Sequence, residues 1–123
     1  MNKITGITFL VGLKMGEDFP ISSKEYLMHI LVKIPAELGL TPHKDSLIIK
    51  GFPVQGDEEN IGYTGCIILT ESHLAFHCFP EFNFIRLELS TCKKISQKKL
   101  EKILNQVFSP ICFLIESHKW KFI

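Results

Sequence analysis

Two segments of this chain place apolar residues at helical spacing, and each segment has a single apolar face. The first begins at a capping box formed by Ser22 and Glu25, and it ends at Gly39. The second follows Ser96, a residue type that caps helices, and is stopped by Pro110. A helix with one apolar stripe must bury that stripe against another layer. The rest of the chain therefore has to supply a surface that covers both helices.

The remaining apolar segments are short and typical of β-strands. Strands are predicted at 4–15, 47–49, 66–69, 74–79, 84–89 and 111–115, and Ile85, Leu87 and Leu89 alternate with polar residues. Residues 51–60 are predicted to form a polar loop, since they carry a proline, two glycines and three acids. We therefore expect an α+β fold, a two-layer sandwich in which two helices cover one face of a mainly antiparallel sheet.

Composition limits the classes of partner. At 123 residues and 46% hydrophobic content, residues 1–123 are expected to form a single domain with its own core. A net charge of +1 without a block of like charges argues against nucleic acid and anionic membranes. The four cysteines show no CxxC spacing, so no metal site is expected and a reducing cytoplasm fits. The expected partner is a small molecule or another copy of the chain.

The triplet Glu71-Ser72-His73 is the strongest candidate for chemistry. A serine can attack its own preceding peptide bond if the backbone is strained and an imidazole manages the protons. His77 follows Ser72 by five residues and Cys92 follows it by twenty, whereas neither partner follows the second Glu-Ser-His triplet, at 116–118. Without this chemistry, Ser72 is a turn residue, His77 a hydrogen-bonded core residue and Cys92 a small buried hydrophobe.

The stretch Gly62 to Gly65, the segment CIILTESHLAFHCFPEF and the LSTC that ends at Cys92 resemble the core of the small prokaryotic class of S-adenosylmethionine decarboxylase. A weaker similarity covers 6–11. The resemblance implies self-cleavage between Glu71 and Ser72 into 1–71 (the beta chain) and 72–123 (the alpha chain). Ser72 then becomes a pyruvoyl group, which forms a Schiff base with the substrate amine and withdraws electrons during decarboxylation.

The same resemblance assigns roles to other positions. His77 matches a histidine that handles protons during self-cleavage, and Thr64 matches a serine whose hydroxyl assists that step; Thr64 is equally consistent with a structural sheet threonine. Cys92 matches the proton donor for the decarboxylated carbon, whereas Cys66, Cys78 and Cys112 are interpreted as small buried hydrophobic residues.

The substrate positions implied by the resemblance are Glu81, which matches a glutamate that bonds the ribose hydroxyls, and Phe79, which stands where an aromatic ring is common. Phe52 could supply a second ring. Near the amino terminus the chain departs from the family, because Thr8 and Gly12 stand where a histidine and an acid are common. A polar contributor to the site is therefore expected to be missing.

The resemblance implies decarboxylation of S-adenosylmethionine for spermidine synthesis by a homodimer whose active sites lie near the subunit interface. Two alternatives stay open at the level of sequence. Divergent relatives decarboxylate arginine or ornithine with the same pyruvoyl group. The chain could also be a non-catalytic relative that remains uncut and acts as a binding or regulatory subunit.

Overall fold

The computed structural model describes residues 3–122, which form six β-strands and two α-helices. In chain order these are β1 (Ile4–Lys14), α1 (Lys24–Glu37), β2 (Ile48–Val54), β3 (Asp57–Leu69), β4 (Ser72–Phe79), β5 (Phe84–Thr91), α2 (Gln97–Phe108) and β6 (Cys112–Phe122). The strands make one sheet in the order β2-β3-β4-β5-β1-β6, and each neighbouring pair is antiparallel. The predicted α+β architecture is confirmed.

Both helices pack on one face of this sheet. Their apolar stripes meet the inward residues of β1, β3, β4 and β5, because successive side chains of a strand point to opposite faces. The helices contribute Leu27, Ile30, Leu31, Ile34, Leu100, Ile103, Leu104 and Phe108, and the sheet contributes Phe9, Val11, Leu13, Ile67, Leu69, Leu74, Phe76, Ile85, Leu87 and Leu89. This single core fixes the register of every central strand.

The opposite face of the sheet, which we call the open face, is not covered by the helices. Its positions on β4 are His73, Ala75, His77 and Phe79, and the strand register aligns them with Ile68, Cys66 and Thr64 of β3. Several large apolar side chains on this face are exposed, among them Phe52 at 51%, Ile68 at 58% and Leu114 at 69%. An uncovered apolar surface of this kind is typical of a protein interface.

The start of α1 differs from the prediction by one residue. Ser23, not Ser22, caps the helix, and its hydroxyl accepts a hydrogen bond from the backbone N–H of Tyr26. The Ser22 hydroxyl donates instead to the carbonyl of Ile61 on β3, which ties the helix entry to the sheet. The helix continues through Pro35 to Glu37, and Gly39 then turns the chain with a φ of +77°.

The predicted polar loop at 51–60 is wrong. Strands β2 and β3 form a hairpin that turns at Gln55 and Gly56, whose φ values of +53° and +79° fit a type I′ turn. The acids at 57–59 belong to β3. The last strand is also longer than predicted, because β1 offers it pairing partners along its whole length, and the second Glu-Ser-His triplet lies inside that pairing. Neither helix of residues 3–122 is long and apolar enough to cross a membrane.

Candidate functional site

The bond between Glu71 and Ser72 lies at the turn that joins β3 to β4. Ser72 has a φ of +156°, outside the regions that L-residues favour. Residues other than glycine hold such angles only where the surrounding structure imposes them, at a cost of about 1–3 kcal/mol. The Ser72 hydroxyl is partly exposed and lies 3.1 Å from Nδ1 of His73. The predicted site of strain therefore coincides with an observed backbone outlier.

A short segment after α1 holds this turn in place. The backbone N–H of Thr41 donates to Oε1 of Glu71 at 2.9 Å, and the Thr41 hydroxyl donates to Oε2 at 3.1 Å. The carbonyl of Thr41 accepts from the N–H of Thr70, and Nε2 of His43 lies 2.8 Å from the Thr70 hydroxyl. We call residues 41–43 the brace. It fixes both residues that precede Ser72.

The brace also changes the acidity of Glu71. Partial burial on its own raises the pKa of the carboxyl, but the two hydrogen bonds from Thr41, a hydrogen bond from the backbone of Glu71 itself and the positive charge of Lys93 together outweigh it and lower the pKa. Lys93 is held nearby, since its Nζ donates to the carbonyl of Gly39 at 2.8 Å. Glu71 is therefore a stable anion at neutral pH, and the brace needs that anion as its acceptor.

Cys92 lies directly beside the same bond. Its backbone N–H donates to the carbonyl of Glu71 at 3.0 Å, and Ser72 pairs with Thr91 across the sheet. The buried Thr91 hydroxyl accepts from the N–H of Lys93 at 3.0 Å, which holds the turn around Cys92. The exposed Cys92 is thus next to the predicted pyruvoyl position, as its predicted role requires.

The other cysteines divide in a way that the sequence did not predict. Cys78 is buried among apolar residues, and this burial raises the pKa of its thiol to about 12. Cys66 and Cys112 are exposed on strands β3 and β6, so their interpretation as buried hydrophobes is wrong. Alternate residues of β3 point to opposite faces of the sheet, and this alternation places Cys66 on the open face. Its neighbours in the sequence are apolar, so the sequence suggested a buried position.

Thr64 and His77 form a pair at the opposite end of β4. They face each other in the register of β3 and β4, and the Thr64 hydroxyl lies 2.5 Å from Nδ1 of His77. Phe79 packs edge-on against the imidazole, with ring centroids 4.4 Å apart. His77 is thus on the open face rather than in the core.

The predicted substrate positions cluster near this second end. Glu81 is exposed in a short 3-10 turn, Pro80–Phe82, that connects β4 to β5. Beside it, Phe79, Phe82, Phe84 and Lys14 line an open cavity of about 390 Å³. Phe52 is exposed on β2, where the ammonium of Lys50 lies 5.5 Å from its ring centroid.

The predicted catalytic residues therefore fall into two groups at opposite ends of the sheet. One holds Ser72 and Cys92, and the other holds Thr64 and His77. Five residues of extended strand separate Ser72 from His77, which at roughly 3.3 Å per residue is about 16 Å. No proton passes directly over that distance, so His77 does not reach the Ser72 hydroxyl within one chain, whereas Nδ1 of His73 lies 3.1 Å from it.

Sequence reasoning missed Thr41 and His43. They lie about 30 residues before the turn that they hold, and nothing in the spacing of a threonine and a histidine identifies such contacts.

Thr8, which stands where a histidine was expected, makes hydrogen bonds to neighbouring strands. Its hydroxyl lies 3.1 Å from the Ser90 hydroxyl and accepts a hydrogen bond from the indole of Trp120 at 3.3 Å.

Comparison with known proteins identifies a family. The family described as S-adenosylmethionine decarboxylase matches residues 10–119. An S-adenosylmethionine decarboxylase proenzyme of Clostridium botulinum is 30% identical over 74 residues, which cover 60% of this chain and 57% of that protein. The alignment thus spans somewhat more than half the length of this curated relative.

Two further comparisons bear on activity and fold. An arginine decarboxylase proenzyme of Aeropyrum pernix is 25% identical over 88 residues, or 70% of this chain and 62% of that protein. The crystal structure of the adenosylmethionine decarboxylase of Aquifex aeolicus superposes with a TM-score of 0.71 at 20% identity, covering 95% of this chain and 91% of that one. This superposition shows that the fold is shared.

Proposed function

Because this chain belongs to the S-adenosylmethionine decarboxylase family, we propose that it is a self-processing, pyruvoyl-dependent decarboxylase that acts on S-adenosylmethionine. The observation that carries this proposal is the strained backbone of Ser72, held at the turn by Thr41 and Cys92. A turn serine without this chemistry has no need of a φ that only glycine adopts freely. The geometry favours the processing enzyme over an uncut binding subunit.

The proposed cleavage begins when Oγ of Ser72 adds to the carbonyl carbon of Glu71. The peptide C–N bond breaks, an ester C–O bond forms, and the hydroxyl proton passes to the nitrogen through a base. Loss of the Ser72 α-proton then breaks the Cβ–Oγ bond and releases the main-chain carboxylate of Glu71 as a new chain end. The enamine left at residue 72 gains a proton at Cβ and becomes an imine. Water adds to this imine, ammonia leaves, and a carbonyl remains at residue 72. The N–H of Cys92 already donates to the Glu71 carbonyl, where negative charge develops in the first step.

The residues around Ser72 fit a pyruvoyl group, since position 72 is partly exposed at the turn and lies next to Cys92, whose backbone N–H bonds the Glu71 carbonyl. A pyruvoyl group supplies a carbonyl, conjugated with an amide, that accepts the electron pair released with carbon dioxide. The Cys92 thiol is the neighbouring group that can deliver a proton to the substrate carbon. Thr64 and His77 handle the protons of self-cleavage in this scheme.

The substrate is proposed from the second group of residues. Three phenylalanine rings around an open cavity give faces for an adenine ring or a sulfonium cation, and the exposed Glu81 is available for a ribose diol. The product would serve spermidine synthesis in the cytoplasm. Arginine is the second candidate, because the Aeropyrum pernix relative aligns over 70% of this chain and Glu81 could meet a guanidinium group.

We propose a homodimer that pairs the two groups across subunits. If two open faces stack about a two-fold axis, the Ser72 end of one subunit lies over the His77 end of its partner. Exposed Ile68, Phe52 and Leu114 on that face support the proposal, since stacking would remove them from water. Each dimer would then have two composite sites.

Intact mass after incubation tests the processing step. Wild-type protein is expected to give two fragments that meet at residue 72, and Ser72→Ala is expected to stay near 14.1 kDa. Wild type that remains whole and does not react with hydrazines would refute self-processing.

Mixed subunits test the composite site. Ser72→Ala and His77→Ala chains should each stay uncut alone, yet some His77→Ala chains should be cut when the two are co-expressed. Cleavage of His77→Ala alone, or no cleavage in the mixture, contradicts a site shared between subunits.

A further inference from the structure

The inward face of β6 changes character along its length. Phe113 and Ile115 are partly buried and pack on the core, as an inward position requires. The next inward positions are Ser117, Lys119 and Lys121, which pair with Phe9, Ile7 and Thr5 of β1. The apolar alternation therefore gives way to two lysines on the face of the sheet that the helices otherwise cover.

A cavity of about 710 Å³ lies at this position, between the end of β6 and the connection from β5 to α2. Its lining includes Lys119 and Lys121 on the side of the sheet, and Lys93 and Lys94 on the side of the connection. This volume is in the range of sites for small molecules, roughly 300–1,000 Å³, and exceeds what a single small ion needs.

The charge of this cavity is one-sided. Of the 14 lysines and arginines in the chain, four line the cavity, and none of the 13 acids is among the lining residues. The net charge of the chain is only +1, so the concentration of lysines is local. Lys93 already donates to the carbonyl of Gly39 and acts on the carboxylate of Glu71. An anion in the cavity would therefore be attracted mainly by Lys94, Lys119 and Lys121.

We propose that this cavity is a binding site for a small phosphorylated ligand with at least two phosphate groups. Lysines act as point charges that bind phosphate oxygens without requiring a fixed geometry. Inward positions 119 and 121 are about 6.6 Å apart along the strand, a spacing that suits neighbouring phosphates better than a single carboxylate. Ser96 and Ser117, also in the lining, supply hydroxyl donors.

The site is separate from the proposed substrate residues. Glu81 and the phenylalanine cavity lie at the other end of the sheet, and Thr64 and His77 are on its open face. The cavity does touch Cys92, and Lys93 connects its wall to the carbonyl of Gly39 beside the brace. A bound polyphosphate would therefore neutralise charge next to the cleavage turn without occupying it.

Titration calorimetry with pyrophosphate and with ATP tests the proposal on the full chain at about 0.05 M and 0.2 M salt. Wild type should bind pyrophosphate saturably at both salt concentrations, with weaker binding at the higher one. Lys119→Gln with Lys121→Gln should weaken binding at least tenfold. The matched control is Lys33→Gln with Lys102→Gln, which removes two exposed helix lysines outside the cavity and should change affinity less than twofold.

Comparison of the two probes identifies which part of the ligand is bound. Similar affinity for pyrophosphate and ATP assigns the site to the phosphates, and tighter ATP binding adds a contact to the nucleoside. Absence of saturable binding to either probe at millimolar concentration overturns the proposal. Equal loss in both double variants also overturns it, because it would reflect overall charge. Binding to uncut Ser72→Ala protein keeps the result independent of self-cleavage.

Discussion

The brace makes a quantitative prediction for Thr41→Val. Valine keeps the shape and the backbone N–H of Thr41, but it removes the hydroxyl that donates to Oε2 of Glu71 at 3.1 Å. A hydrogen bond to a buried charged group contributes about 1.5–3 kcal/mol. The turn is solvent-exposed, where charged contacts contribute about 0–1 kcal/mol. We therefore expect a loss of about 0.5–1 kcal/mol in the free energy of unfolding, and none for Thr41→Ser.

The effect should depend on pH because the acceptor is a carboxylate. The pKa of Glu71 is lowered in the folded chain from an ordinary value of 4.5. A lowered folded pKa contributes stability above the unfolded pKa, and this contribution is lost as the pH falls through the folded value. The difference in stability between the wild-type protein and the Thr41→Val variant should therefore be full at pH 7 and should shrink below about pH 4.5.

Urea unfolding measures this difference best in the Ser72→Ala background, where the chain stays whole. A double-mutant cycle that combines Thr41→Val with Glu71→Gln at pH 7 isolates the hydrogen bond between the two side chains. The matched control is Glu37→Gln, which changes an exposed acid at the end of α1. If Thr41→Val costs the same with glutamate or glutamine at position 71, the hydroxyl does not act through the carboxylate and the reasoning fails. In the Ser72 protein, Thr41→Val should also slow self-cleavage, and Thr41→Ser should restore it.

Three further outcomes follow from the site and the core. Cys92→Ala should still give two fragments but lose most decarboxylation in a carbon dioxide release assay, while Cys66→Ala keeps it; full activity without Cys92 would remove that thiol from the site. Glu81→Gln should raise KM for S-adenosylmethionine and leave fragment formation unchanged, and carbon dioxide release from arginine alone would instead assign arginine as substrate. Leu104→Ala, a fully buried change on α2, should cost about 2–5 kcal/mol in urea unfolding.

The sequence by itself determined the architecture. The spacing of apolar residues along the chain determined the two-layer fold, because a helical stripe such as Leu100, Ile103 and Leu104 can only be buried by another layer. The resemblance of a short local motif predicted roles for Ser72, His77 and Cys92, and those roles stay predictions. Errors at this level were also local, such as the cap at Ser23 rather than Ser22 and the hairpin at 55–56 within a predicted loop.

Only the tertiary structure decided which residues meet. The contact from Thr41 to Glu71 joins residues 30 positions apart, and the lysine cavity joins the end of β6 to the residues after β5. Such contacts depend on strand order and register, which periodicity alone does not encode. The same register separates Ser72 from His77, because five residues of extended chain span about 16 Å whatever their proximity in sequence.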